Sequence, residues 1–179
     1  MPVPSPLPAR AAATLDARVH ALIVHGVLDG GRHRLDAPGG DGALAVRVTV
    51  DRGAGTLRLD AFPEIEDRVA TAIGGVRAVV SVVGTPEGSY DDATGHVDVD
   101  VPLHLDAKGF LARDSDVVVS LSSRGSVDEG GLAGAGDPFD AGDPTVRLVG
   151  SGTFDGGSLD GGSLWLVLDA TVVDVADAS

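Results

Sequence analysis

Residues His96-Val97-Asp98-Val99-Asp100-Val101-Pro102-Leu103-His104-Leu105-Asp106 decide the fold. Odd positions are Val or Leu, and even positions are His, Asp or Pro. Alternate side chains of a strand point to opposite faces, so one face of this segment enters a core and the other meets water. Pro102 on the wet face removes one backbone donor and marks an edge or a bend.

The same period of two recurs outward in both directions. Leu44, Val46, Val48 and Val50 alternate with Ala45, Arg47 and Thr49, and Leu57 and Leu59 alternate with Thr56, Arg58 and Asp60. Val117, Val119 and Leu121 form a third face, Val146 and Leu148 a shorter one, and Leu164, Leu166, Leu168, Ala170 and Val172 the longest. Asp51-Arg52-Gly53-Ala54-Gly55 and Asp92-Ala93-Thr94-Gly95 punctuate these runs. Asp bonds its own backbone two residues on, and Gly accepts the positive φ that tight turns need. Gly74-Gly75 reads as a two-residue hairpin loop. Residues 63–73 carry helix signals, with Pro63, early acids and a closing Gly74, but also alternate as a strand. Both readings stay open, and the strand is preferred because the rest of the chain is β. The expected fold is all-β: one domain of about eight to ten antiparallel strands, a sandwich or a barrel, with at most one short helix.

Pro2, Pro4, Pro6 and Pro8 favour extended polyproline geometry, so residues 1–16 are expected to form a disordered or extended arm. The β domain is expected over residues 17–176, with residues 122–145 as one long Gly- and Asp-rich loop. No early basic residues precede an apolar core, so no secretory leader is read, and no stretch is long enough to span a membrane. A cytoplasmic location is expected, although a leader removed earlier would leave the same start.

Composition narrows the chemistry. The chain has 179 residues and no cysteine, which rules out disulfides and thiolate metal centres. Its net charge of −14 argues against nucleic acid and anionic membranes as partners. Gly, Ala, Val and Asp share codons beginning with G, so a high-GC, bacterial-like genome is the simplest source of the bias.

Candidate sites are few. Asp137, Asp140 and Asp143 lie three apart in the long loop and are the calcium candidates, since calcium takes six to eight hard oxygens. Their spacing departs from the EF-hand pattern, so a solvated acidic loop is the competing account. His96, Asp98, Asp100 and His104 share a wet strand face, but neighbours two apart stand ~6.6 Å from each other and need a cross-strand partner to chelate one ion. Gly156-Gly157-Ser158-Leu159-Asp160 misses the nucleophile elbow by its final glycine. Lys108, the single lysine, carries no sign of activation. Arg32-His33-Arg34 sits between Asp29 and Asp36, a locally balanced turn. Trp165 faces away from Leu164 and Leu166, and Tyr90 is isolated, so these two are the ligand or interface candidates. A segment of the form Gly-x-large apolar-Asp recurs at Gly26, Gly88 and Gly152, which shared turn chemistry explains.

The function expected from these residues is non-catalytic: a soluble β-domain that binds a protein partner or self-associates. The alternatives are a barrel carrying a small apolar ligand and a calcium-binding β-domain. No cofactor beyond possible calcium is expected.

Overall fold

The computed structural model describes residues 14–28, 33–36, 46–61, 65–69, 76–108, 112–140 and 142–177. Thirteen strands run through them: β1 (Thr14–Leu28), β2 (His33–Asp36), β3 (Val46–Asp51), β4 (Thr56–Ala61), β5 (Ile65–Val69), β6 (Val76–Val82), β7 (Glu87–Asp91), β8 (His96–Lys108), β9 (Ser115–Ser122), β10 (Ser126–Glu129), β11 (Leu132–Ala135), β12 (Thr145–Asp155) and β13 (Ser163–Asp177). The sole helical element among the described residues is a 3-10 turn at Gly157–Leu159.

Eight of these strands pair antiparallel in the order β1-β3-β4-β7-β8-β9-β12-β13, and β13 pairs back onto β1. The hydrogen-bonded circuit is therefore closed, and of the two expected architectures it is the barrel. Following directly paired residues from Leu15 leads through Val50, Leu57, Gly88, Val99, Leu121, Gly150 and Leu166 to Gly26. The path returns to β1 eleven residues (26 − 15) from its start, across the register irregularity between His20 and Ile23. Such a stagger tilts the strands by about 40° to the barrel axis and gives an interior that side chains can fill or one small ligand can occupy.

The alternating positions sort as expected. Val99, Val101, Leu103 and Leu105 of β8, Val117, Val119 and Leu121 of β9, Leu148 and Phe154 of β12, and Leu164, Leu166 and Ala170 of β13 form the buried interior. Each fully buried Leu or Val contributes ~1.5–3 kcal/mol of transfer free energy, which makes this face the main source of stability. On β12 the inward positions between Leu148 and Phe154 are Gly150 and Gly152. A Cβ at either would strike the backbone of β9, at Ser120 and Val118 respectively, so the close approach of β9 and β12 requires glycine there.

Five short strands lie outside the circuit. β2 pairs with the second half of β1, while β5 and β6 form a hairpin that pairs with the second half of β8. Residues 65–69 are thus strand, as preferred, and the rest of the 63–73 segment lies outside the described residues. The last registered pair of that hairpin is Val69 with Val76, and Gly74-Gly75 lies outside the described residues. Thr14, Leu15 and Asp16 belong to β1, so the sheet begins inside the stretch expected to be an arm. Residues 122–145 are more ordered than a single loop: β10 and β11 form a hairpin there. Val127 and Leu132 of the hairpin pack on Val149, Trp165 and Val167, the outward apolar residues of β12 and β13. The hairpin exists because those three side chains need cover on the outside of the barrel.

No helix among the described residues is long and apolar enough to cross a membrane. The barrel wall itself is polar outside and apolar inside over β8 and β9, the reverse of the polarity of a lipid-embedded barrel.

Candidate functional site

The interior is graded along the barrel axis. At one end Val80, Leu105, Val117, Phe154 and Leu164 are all buried, with Phe154 2% and Leu164 1% exposed. The β12–β13 connection folds across this end. Leu159 packs on the core, and its backbone N–H donates to the Oγ of buried Ser115 at 3.2 Å. Ser158 is held there too, its Oγ accepting from the Arg113 N–H at 2.8 Å. The near-miss nucleophile is therefore part of a plug.

At the opposite end the described inward side chains are Leu57 of β4, which is buried, and Val48 and Val50 of β3, Tyr90 of β7, Val97 of β8, Val146 of β12 and Val172 of β13. The latter six pack against the core yet stay only half-buried. Among the described residues this layer is apolar apart from the Tyr90 hydroxyl. Burial raises the Tyr90 pKa, with Asp92 adding to the effect, so the phenol stays neutral.

A collar of turns frames this open end. Arg52 in the β3–β4 turn holds Asp92 in the β7–β8 turn through two bonds of 2.6 and 2.7 Å. The Tyr90 N–H donates to the Gly55 carbonyl at 2.9 Å, and the Phe139 N–H to the Gly95 carbonyl at 3.0 Å. Gly95 has φ 71°, and a Cβ there would strike the Phe139 carbonyl, so glycine is required on both counts. The Val172 N–H donates to the Pro144 carbonyl at 2.8 Å, tying the last part of the collar to β13.

The calcium candidates are distributed within this collar. The Asp137 backbone pairs with Arg147 in a β-bridge. Asp140 accepts from the Gly142 N–H at 2.8 Å, and Asp143 accepts from the N–H and hydroxyl of Thr145 at 3.0 and 2.8 Å. The two Thr145 bonds hold the Asp143 carboxyl below its usual range. Among the described residues no three His, Asp or Glu side chains gather as a metal site.

The wet face of β8 is matched residue by residue by β9. Ser122 bonds Asp98, Ser120 bonds Asp100 at 2.6 Å, and Asp116 bonds His104 Nδ1 at 2.7 Å. Arg124 completes Asp98 at 2.8 Å. His96 turns to Ser123, whose hydroxyl lies 2.9 Å from Nδ1 and also accepts from the Val97 N–H. Ser123 is 2% exposed, so this pair fixes the start of β8 and offers a substrate no access. The four residues considered for a transition metal are thus each taken by a partner of their own. An open groove of about 310 Å³ runs beside them, lined by Glu87, Ser89, Asp98, Asp100, Ser120 and Ser122 among others.

Tyr90 and Trp165 fall in different places. Tyr90 reaches the open end of the interior, whereas Trp165 lies outside the wall beneath the β10–β11 hairpin. The half-buried layer escaped sequence reasoning, because alternation tells which side chains point inward and not how deep they lie. The outward trio Val149, Trp165 and Val167 was a usable signal for the hairpin, since three large apolar residues on the wet face of two strands demand cover.

The chain matches no known protein family, no curated protein and no solved structure.

Proposed function

We propose that this chain is a non-catalytic binding barrel that admits a small apolar molecule at its open end. The observation that supports the reading is a contrast in burial between the two ends: Phe154 and Leu164 are fully buried at the plugged end, whereas Val48, Val50, Tyr90, Val97, Val146 and Val172 stay half-buried at the other, beside a buried Leu57. An apolar layer that stays partly wet loses unfavourable hydration when an apolar ligand covers it. The test uses N-phenyl-1-naphthylamine, an uncharged dye that brightens in apolar surroundings. Saturable, one-to-one binding to the folded chain is the expected result, and native mass spectrometry of protein purified without denaturant is expected to show a bound apolar molecule. Absence of saturable binding by the dye overturns the proposal.

A second reading, assembly with a partner or a second copy, rests on the outer wall. Val83 and Val118 are 51% and 53% exposed. They flank Pro102, whose carbonyl accepts the Val83 N–H and which pairs directly with Val118. Sedimentation equilibrium of the wild type and of Val118→Asp tests it. A dimer lost in the variant supports assembly, and a wild-type monomer removes self-association.

A further inference from the structure

We infer that Tyr90 selects the ligand of the open end: its hydroxyl donates to an oxygen of the ligand, which is therefore an uncharged apolar molecule carrying a carbonyl or ether acceptor. The inference rests on the barrel-binding reading above and names its ligand class. Tyr90 is paired directly with Val97 of β8, and its N–H is fixed to the Gly55 carbonyl at 2.9 Å. The ring packs against the core among the half-buried valines. Backbone and ring are thus held, and the hydroxyl has a fixed place in the apolar layer. It is the one polar atom on the described inward side chains there, and it meets no hydrogen-bond partner among the described residues. Asp92 gives its two carboxylate oxygens to Arg52 instead, at 2.6 and 2.7 Å. Burial raises the Tyr90 pKa, with Asp92 adding to it against the opposing pull of Arg52, so the phenol keeps its proton and presents a donor. A half-buried hydroxyl is served by solvent until a ligand covers it. A hydrocarbon strips that water and returns nothing, whereas a ligand oxygen at the same place replaces the lost bond. The penalty falls only on the molecule without the oxygen, so one hydroxyl discriminates between ligands of the same apolar bulk. The corresponding aromatic at the plugged end is Phe154, 2% exposed. Where packing is complete and no ligand brings a partner, the position carries no hydroxyl.

The experiment displaces bound N-phenyl-1-naphthylamine from the full chain and from Tyr90→Phe with 2-propionylnaphthalene or 2-propylnaphthalene, which share one carbon skeleton and differ by the carbonyl oxygen. The substitution removes only the hydroxyl, so the variant is expected to keep the wild-type circular dichroism and urea midpoint. It is expected to bind the ketone about tenfold more weakly, as the loss of one hydrogen bond requires, and the hydrocarbon as tightly as the wild type or more so. A spectroscopic signature accompanies the loss. The emission of bound 6-propionyl-2-dimethylaminonaphthalene, which moves to the red when its carbonyl accepts a hydrogen bond, is expected to shift to the blue in the variant. Ketone affinity or bound emission unchanged by Tyr90→Phe overturns the inference and leaves the barrel-binding reading intact. So does equal weakening of both naphthalenes, which would assign Tyr90 a structural role. A wild-type chain that does not bind N-phenyl-1-naphthylamine at all overturns the barrel-binding reading itself.

Discussion

Gly88-Ser89-Tyr90-Asp91 and Gly152-Thr153-Phe154-Asp155 are nearly the same tetrapeptide, and each closes a strand of the barrel. The first ends β7 at the open end and the second ends β12 at the plugged end. Both put a glycine and then an aromatic on the inward face, with the Asp leading into a turn. Their surroundings differ. Beyond Phe154 the chain folds back with Leu159 over the core, and the ring is 2% exposed. Beyond Tyr90 the chain turns tightly through Asp92–Gly95, and the ring is left half-buried beside wet valines. Like sequences thus form a core residue at one end and a rim residue at the other. Which one results depends on the length and content of the connection that follows.

The largest test of that contrast is truncation. Phe154→Ala and Leu164→Ala remove fully buried side chains and should destabilise the fold by about 2–5 kcal/mol in urea titrations. Val50→Ala and Val172→Ala at the open end should cost under about 1.5 kcal/mol, because water already reaches these side chains. Equal losses at the two ends would break the distinction.

Filling the open end sharpens the same contrast. Val97→Phe adds volume where the layer is not closed and should lower dye affinity about tenfold with little change in urea midpoint. The corresponding change in the packed layer, Val117→Phe, should instead destabilise the fold by ~1–3 kcal/mol through overpacking. Dye binding unchanged by Val97→Phe would place the dye elsewhere than in the barrel mouth.

The outer hairpin offers a smaller effect. Trp165 is the sole tryptophan, so its emission reports on the cover provided by Val127 and Leu132. Leu132→Ser should shift that emission to the red and speed proteolysis between residues 126 and 135, at a cost of about 1–2 kcal/mol. Dye binding should be unaffected, because this cluster lies on the far side of the wall from the interior.

These differences mark what the sequence could disclose. Alternation in residues 96–106, 117–121 and 164–172 made the strands and their inward faces legible, and Asp-Gly turn chemistry made their ends legible. Closure was not, because it depends on β13 returning to β1 across the whole chain, and no local pattern encodes a pairing partner. The β10–β11 hairpin was hidden for a different reason. Ser126–Glu129 and Leu132–Ala135 contain few apolar residues and two of the eight are Gly or Ser on a strand edge, so local propensity is weak and tertiary packing on Val149, Trp165 and Val167 supplies the stability. Of the candidate site, Tyr90 was legible as an isolated aromatic. The valines around it looked like any other core positions.

The smallest expected effect is one of pH, and it has opposite sign at the two ends. His104, on the outer wall of β8 toward the plugged end, has its pKa raised by its bond to Asp116, with Asp114 and Asp106 adding to the attraction. A folded-state pKa above the unfolded value of about 6.5 means that this pair stabilises fully below that pH. The contribution is then lost as pH rises through the folded value. At the open end Asp91 and Asp143 have lowered pKa values, Asp91 through Thr94 and Ala93 and Asp143 through Thr145. Their contribution is present above the unfolded carboxylate value of about 3.9 and lost as pH falls through the folded values. All three groups are well exposed to solvent, so salt should flatten both trends. Titration by NMR is the discriminating measurement. Amide shifts around Thr94 and Thr145 should move only in the acid range, and those around His104 should move as pH rises through its raised pKa. His104→Gln should erase the histidine transition and leave the acid transition of the collar in place. Loss of both transitions in that variant would show that the two ends titrate as one unit, contrary to the separation seen in their bonding.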